Sequence, residues 1–161
     1  MSFLTADLCD DHPDEVHTAE PLFRHFGARR VFGGLIRTLR VENDNSLVKA
    51  ALAKPGEGAV LVVDGQSSTR TALLGGNLGT LAAENGWSGL LINGCVRDTH
   101  ELSDCDVGVL ALGTCPRKSE KRGDGEKNVA VEFAGAVFRP GEYVYCDLDG
   151  IITAARDLTT S

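Results

Sequence analysis

The stretch Leu73–Leu102, LLGGNLGTLAAENGWSGLLINGCVRDTHEL, carries the reading of the whole chain. It opens with a glycine pair, Gly75 and Gly76, at the mouth of a run of helix formers that Gly86 closes. The segment WSGLLING follows, apolar almost throughout, as a strand buried on both faces would be. It runs out into Arg97 and Asp98, a cation and an anion side by side just past the strand. In open α/β sheets, ligand-binding groups collect at such strand ends.

The segments on either side repeat the alternation. Upstream, TADLCDDH (5–12) reads as a short helix with Thr5 as N-cap. RRVFGGLIRTLRV (29–41) reads as a strand with a bulge at its glycine pair. NSLVKAALAKPGEG (45–58) predicts a helix stopped by Pro55-Gly56, and AVLVVDG (59–65) a second buried strand. Downstream, DVGVLALGT (106–114) predicts a third buried strand, and PRKSEKRGDGEKN (116–128) an exposed charged loop. VAVEFAGAVFRPGEYVYCDLDGIITAA (129–155) predicts short strands separated by glycine and Pro-Gly turns. The pattern is that of one α/β or α+β domain over residues 1–161, with helices in the first two thirds and strands dominating the end. Periodicity leaves the topology open.

Composition narrows the function classes. A chain of 161 residues, 42% hydrophobic and 24% charged, suits one globular domain. The net charge of -7 argues against direct nucleic-acid binding, which needs clustered Lys and Arg. No apolar run approaches the ~20 residues of a membrane span. MSFLTADLCDDHPDE lacks the basic and apolar regions of a signal peptide, so a cytoplasmic location is expected. The five cysteines are odd in number and form no CxxC, which fits reduced thiols.

Two features carry chemistry. Gly75-Gly76-Asn77-Leu78 either lets a ligand approach the backbone and offers helix N–H groups to an anion, or is a tight turn before a helix capped by Asn77. Its spacing matches neither a Rossmann fingerprint nor a P-loop. Arg97-Asp98 is either a solvated pair or a fork for a carboxylate beside a hard oxygen ligand for Mg²⁺ or Mn²⁺. Other groups read as structural. The cluster Asp10, Asp11, His12, Asp14, Glu15 and His17 fits an exposed segment, and Asp147 and Asp149 fit a turn. Cys95, His100 and Cys105 lack the spacing of a zinc site. No lysine lies in a buried run that would depress its pKa for Schiff-base chemistry, and no GxSxG is present.

Together ADLCDDHPDEV (6–16), EPLFRHFG (20–27), the stretch 60–102, ALGTCPRKS (111–119) and YCDLDGII (145–152) resemble the family of the regulator of ribonuclease activity A and its aldolase-like relatives. That family includes the class II 4-hydroxy-4-methyl-2-oxoglutarate aldolases. The resemblance spans nearly the whole chain and is most specific from Leu61 to Leu102. It implies a swivelling β/β/α domain assembled as a ring-like homotrimer, some trimers pairing into hexamers. It implies that Gly75 to Leu78 present backbone N–H groups to a pyruvyl carboxylate, that Arg97 binds the substrate, and that Asp98 binds a divalent metal. Arg97 and Asp98 would be the catalytic pair.

The activity so implied is metal-dependent cleavage of 4-hydroxy-4-methyl-2-oxoglutarate-type acids to pyruvate. Oxaloacetate decarboxylation would be a side reaction through the same pyruvate enolate. The alternative is a protein-binding regulator that inhibits an RNA-degrading endonuclease of the RNase E type. Asp98 separates the two, because the regulator typically lacks an acid after the Arg. The chain departs from the aldolases in having no acid at Gly76 or Asn77.

Overall fold

Three of the apolar runs become neighbouring parallel strands in the computed structural model, which describes residues 2–160. In chain order the elements are α1 (Thr5–Asp11), β1 (Val16–Thr18), β2 (Arg24–His25), β3 (Phe32–Arg40), α2 (Ser46–Leu52), β4 (Val60–Asp64), β5 (Ala72–Leu74) and α3 (Gly76–Glu84). There follow β6 (Gly89–Val96), α4 (Thr99–Leu102), β7 (Gly108–Thr114), β8 (Glu126–Lys127), β9 (Val131–Phe133), β10 (Ala136–Phe138), β11 (Tyr143–Asp147) and β12 (Gly150–Ala154). The main sheet is mixed, in the order β1-β12-β11-β3-β4-β6-β7-β2, with β5 added to β6 and β8 to β3. Its centre, β3-β4-β6-β7, is parallel, and its flanks are antiparallel.

Every residue of β4 and β6 is buried, and two different covers explain it. Side chains alternate across a strand. Leu61, Val63, Leu90 and Ile92 join Val48 and Leu52 of α2 and Ala82 of α3 in one core. Val60, Val62 and Leu91 join Val131, Phe133 and Phe138 of the β9–β10 hairpin in a second. A strand covered on both faces needs apolar residues at every position, so its sequence shows no alternation. A third, smaller core packs Leu8 of α1 on Tyr145 and Ile152.

Three local expectations are corrected. The glycine pair of β3 makes no bulge: its pairing to β11 runs in register from Phe32 to Leu35, and from Ile36 the strand pairs with β4. A Cβ at Gly33 would lie 2.7 Å from the Val144 carbonyl oxygen, so the glycine permits this crowded change of partner. Thr5 is the first residue of α1 rather than its N-cap, and its hydroxyl donates to Asp147 at 2.6 Å. Asn77 does not cap α3, whose N-cap is Gly75. The closing role of Gly86 holds, with φ +78° just beyond the Asn85 C-cap.

The charged segment 116–128 is exposed, as expected, but it is not loose. Glu126 and Lys127 pair with β3. Fully buried Asp44 accepts the N–H groups of Arg122 and Asp124 at 2.8 and 3.1 Å. The Glu120 N–H donates to the Asn43 carbonyl at 2.9 Å. Ser119 is the one buried residue between Pro116 and Asn128.

Candidate active site

The C-terminal ends of the parallel strands place the two sequence features in contact. β5 ends at Leu74 and hands the chain to Gly75; beside it, β6 ends at Val96 and hands it to Arg97. The Arg97 N–H donates to the Leu74 carbonyl at 2.9 Å, which ties the two exits together. Asp98 then turns left-handed, at φ 57° and ψ 45°, and becomes the N-cap of α4. Asp is among the few residues that tolerate this conformation. Its Oδ2 accepts the Gly76 N–H at 2.9 Å. A Cβ at Gly75 would lie 2.7 Å from that oxygen, so glycine is required there by closeness; its backbone is extended.

The helix start supplies donors. α3 makes its first bond from the Gly79 N–H to the Gly75 carbonyl at 3.0 Å. The N–H groups of Gly76, Asn77 and Leu78 therefore have no intrahelical acceptor. Gly76 is satisfied by Asp98, which leaves the N–H groups of Asn77 and Leu78 at the positive end of the helix, where negative charge is favoured. The Arg97 guanidinium passes along Gly75, its Nε 3.7 Å from where a Cβ would sit, and Nη1 donates to the Pro116 carbonyl at 3.3 Å.

These groups line a cavity of about 220 Å³ with Gly75, Asn77, Leu78, Arg97 and Asp98 among its walls. Sequence reasoning missed the rest of the lining. Asn45 and Lys49 come from α2 and its N-cap, and Lys118, Ser119 and Lys121 from the segment after β7. The Lys121 ammonium donates to Asn45 Oδ1 at 3.2 Å. The sole hint was ALGTCPRKS, because a run that follows a buried parallel strand shares the sheet's C-terminal edge. Glu101 was also missed: a Cβ on Gly76 would run into its carboxylate. An acid thus stands over Gly76, although none is present at 76 or 77.

The groups read as structural stay apart from this cavity. His12 and Arg156 both pair with Glu15 at the surface, at 3.1 and 2.8 Å. Asp147 shapes its turn by accepting the N–H of Asp149 at 2.9 Å and that of Thr5 at 2.7 Å. Burial works to raise its pKa, but these hydrogen bonds prevail and hold it below the ordinary carboxylate value. All five cysteines are free thiols.

The residues fit a divalent cation of one kind. Among the described residues, no three His, Cys, Asp or Glu side chains converge on one point. A thiolate or imidazole cage is therefore not what this site offers. Asp98 is exposed at the cavity mouth, and one of its oxygens is committed to Gly76. One carboxylate completed by water is how Mg²⁺ is commonly held, because that ion keeps most of its hydration shell.

The comparisons place the chain. The Aldolase/RraA model, described as RraA-like, matches residues 5–153, so the chain belongs to the RraA-like family. Among particular relatives, a Burkholderia multivorans protein named "Putative 4-hydroxy-4-methyl-2-oxoglutarate aldolase" is 51% identical over 164 residues, covering 99% of this chain and 100% of its own. The solved structure of the RNA-processing inhibitor RraA from Thermus thermophilis superposes with a TM-score of 0.94 at 43% identity, covering 100% of this chain and 99% of that one. A Geobacillus kaustophilus structure named as S-adenosylmethionine: 2-dimethylmenaquinone methyltransferase gives 0.93 at 47% identity, covering 97% of each chain.

Proposed function

We propose that the chain is a divalent-metal aldolase. It cleaves 4-hydroxy-4-methyl-2-oxoglutarate-type acids to pyruvate and decarboxylates oxaloacetate as a side reaction. The observation that carries this is the meeting of an anion seat with an uncommitted carboxylate oxygen. The seat is the Asn77 and Leu78 N–H groups and the Arg97 fork; the oxygen belongs to Asp98. A 2-oxo acid presents matching groups, a carboxylate and an adjacent carbonyl. The relatives named as aldolases, 51% identical in the Burkholderia case, support the same reading.

Each residue then has a task. The Asn77 and Leu78 N–H groups and Arg97 fix the C1 carboxylate. Asp98 would hold Mg²⁺ or Mn²⁺, and that ion would supply Lewis-acid stabilisation of the negative charge that develops on the substrate. When the C3–C4 bond breaks, its electron pair passes to C3, the 4-hydroxyl gives its proton to solvent water, and C4 becomes the carbonyl carbon of a second pyruvate. The pyruvate enolate then takes a proton from solvent water at C3, which balances the one released. Decarboxylation of oxaloacetate breaks its C3–C4 bond to the same enolate, so one seat serves both reactions. Lys49, Lys118 and Lys121 suit further negative charge on the substrate and disfavour a sulfonium such as that of S-adenosylmethionine.

The test is pyruvate release from 4-hydroxy-4-methyl-2-oxoglutarate and from oxaloacetate by metal-stripped protein, before and after Mg²⁺ or Mn²⁺ is added. The expected result is release of pyruvate that depends on the added ion; metal-independent background rates alone would overturn the reading. The second reading, a regulator that binds an RNA-degrading endonuclease, is favoured by the 43% identity to the Thermus RNA-processing inhibitor. It predicts inhibition of such a nuclease by protein that releases no pyruvate.

A further inference from the structure

Ser119 is an anomaly in its segment. From Pro116 to Asn128 every other residue is exposed, yet Ser119 is 95% buried, with a relative exposure of 5%. Its hydroxyl oxygen finds no hydrogen-bond partner among the described residues. Buried hydroxyls are normally satisfied, so an orphan points to a missing partner. The backbone on both sides is pinned, which prevents the residue from turning away to find one. The Arg117 carbonyl accepts the Ala72 N–H at 2.8 Å, Lys118 bridges to Ala72, and Glu120 is bonded to Asn43 at 2.9 Å.

Ser119 also lines the candidate active site. Asn45, Lys49, Lys118 and Lys121 share that lining: three ammonium groups and an amide whose Oδ1 already accepts from Lys121 at 3.2 Å. A hydroxyl among cations has an anionic oxygen as its natural acceptor. The seat for the C1 carboxylate is already furnished by Asn77, Leu78 and Arg97. From this geometry we infer that Ser119 is a specificity-determining residue that donates a hydrogen bond to the second carboxylate of a dicarboxylic 2-oxo acid. The inference rests on the aldolase reading for the orientation of the substrate. It goes further in assigning a residue that selects diacids over monoacids.

The experiment separates the two ideas. Binding of 2-oxoglutarate and of pyruvate to Mg²⁺-loaded protein is measured by calorimetry for wild type, Ser119→Ala and Ser119→Thr, with circular dichroism as the check on folding. Cleavage of 4-hydroxy-4-methyl-2-oxoglutarate is followed in parallel. Loss of a hydrogen bond to a charged group should weaken 2-oxoglutarate binding roughly tenfold in Ser119→Ala and leave pyruvate binding unchanged. KM for the diacid should rise by about the same factor with kcat little altered. Ser119→Thr keeps the hydroxyl and should recover part of the loss. Equal effects on both ligands would overturn the inference, because the hydroxyl would then serve the shared carboxylate or the fold. So would no effect on either ligand. A Ser119-dependent diacid site in protein without lyase activity would uphold the inference and sink the aldolase reading. Normal cleavage with unaltered Ser119→Ala kinetics would do the reverse.

Discussion

Asp98 holds a conformation that few residues accept, and the reason lies in what its side chain does. The left-handed turn costs about 1 kcal/mol or more for a residue other than glycine. It lets one carboxylate oxygen take the Gly76 N–H while the residue caps α4. Asp98→Asn keeps an acceptor for that N–H but removes the charge. Calorimetric titration with Mn²⁺ should show affinity reduced by more than about tenfold, because a hydrated cation held by one carboxylate has little else to retain it. Pyruvate formation should vanish while circular dichroism is unchanged. Equal metal-stimulated rates in the two proteins would remove Asp98 from the metal site. Arg97→Ala should lower kcat/KM by about 10- to 150-fold, the equivalent of a lost charge-assisted hydrogen bond of about 1.5–3 kcal/mol. Lysine should restore only part of this, since it cannot offer two parallel donors. Wild-type turnover in Arg97→Ala would leave the residue a merely structural role at the Pro116 carbonyl.

At the scale of elements, the site is assembled by the short segment 43–45, which ties its neighbours together. Asn43 Oδ1 accepts the hydroxyls of Ser68 and Thr71 at 2.6 and 3.0 Å, just before β5. Asp44 holds the Ser46 N–H and hydroxyl at 2.9 and 2.6 Å and the two N–H groups of the segment after β7. Burial works to raise the Asp44 pKa, but those hydrogen bonds prevail and hold it well below the ordinary carboxylate value. A depressed folded-state pKa contributes stability that is present above the unfolded value, near 4, and is lost as pH falls through the folded value. Asp44 should therefore stabilise the fold fully at neutral pH and progressively less below about pH 4. Asp44→Ala strips several buried donors of their acceptor and should cost roughly 3 kcal/mol in urea unfolding at pH 7. The difference from wild type should shrink on acidification. A difference that stayed constant down to pH 2 would show that the Asp44 charge is not what holds the clasp.

The whole molecule leaves Leu4, Leu22, Val31, Leu35 and Leu148 exposed, from 36% for Leu35 to 71% for Leu148. Large apolar side chains at the surface are candidates for burial between copies. The family resemblance implies a ring-like homotrimer, and we expect light scattering at micromolar concentration to give three times the chain mass of 17.1 kDa. Monomer alone at that concentration would refute the assembly. Acidic character overall and a cationic cavity coexist without conflict: net charge sets the distant field, and neighbouring side chains set the field inside a pocket.

What the chain alone determined follows from short-range physics. Unbroken apolar runs mark strands covered on both faces, and β4 and β6 are such strands. Helix formers bounded by glycine mark α3, and a charged pair directly after a buried run marks a strand end at the sheet's edge. Those signals are local, so Gly75, Gly76, Asn77, Leu78, Arg97 and Asp98 could be singled out before any fold was known. Only the tertiary structure decided what depends on distant partners. The actual roles of Thr5 and Asn77 could not be read locally, because a side chain caps a helix or reaches elsewhere according to what lies nearby. Lys49, Lys118, Ser119 and Lys121 belong to an exposed helix face and a charged segment by any local criterion. They become cavity walls because the Asp44 hydrogen bonds and the bridge to Ala72 draw the segment after β7 against the residues just ahead of α2 and against β5. The Ser119 hydroxyl acquires its meaning in the same way, since a serine in a polar run signals nothing until folding buries it without a partner.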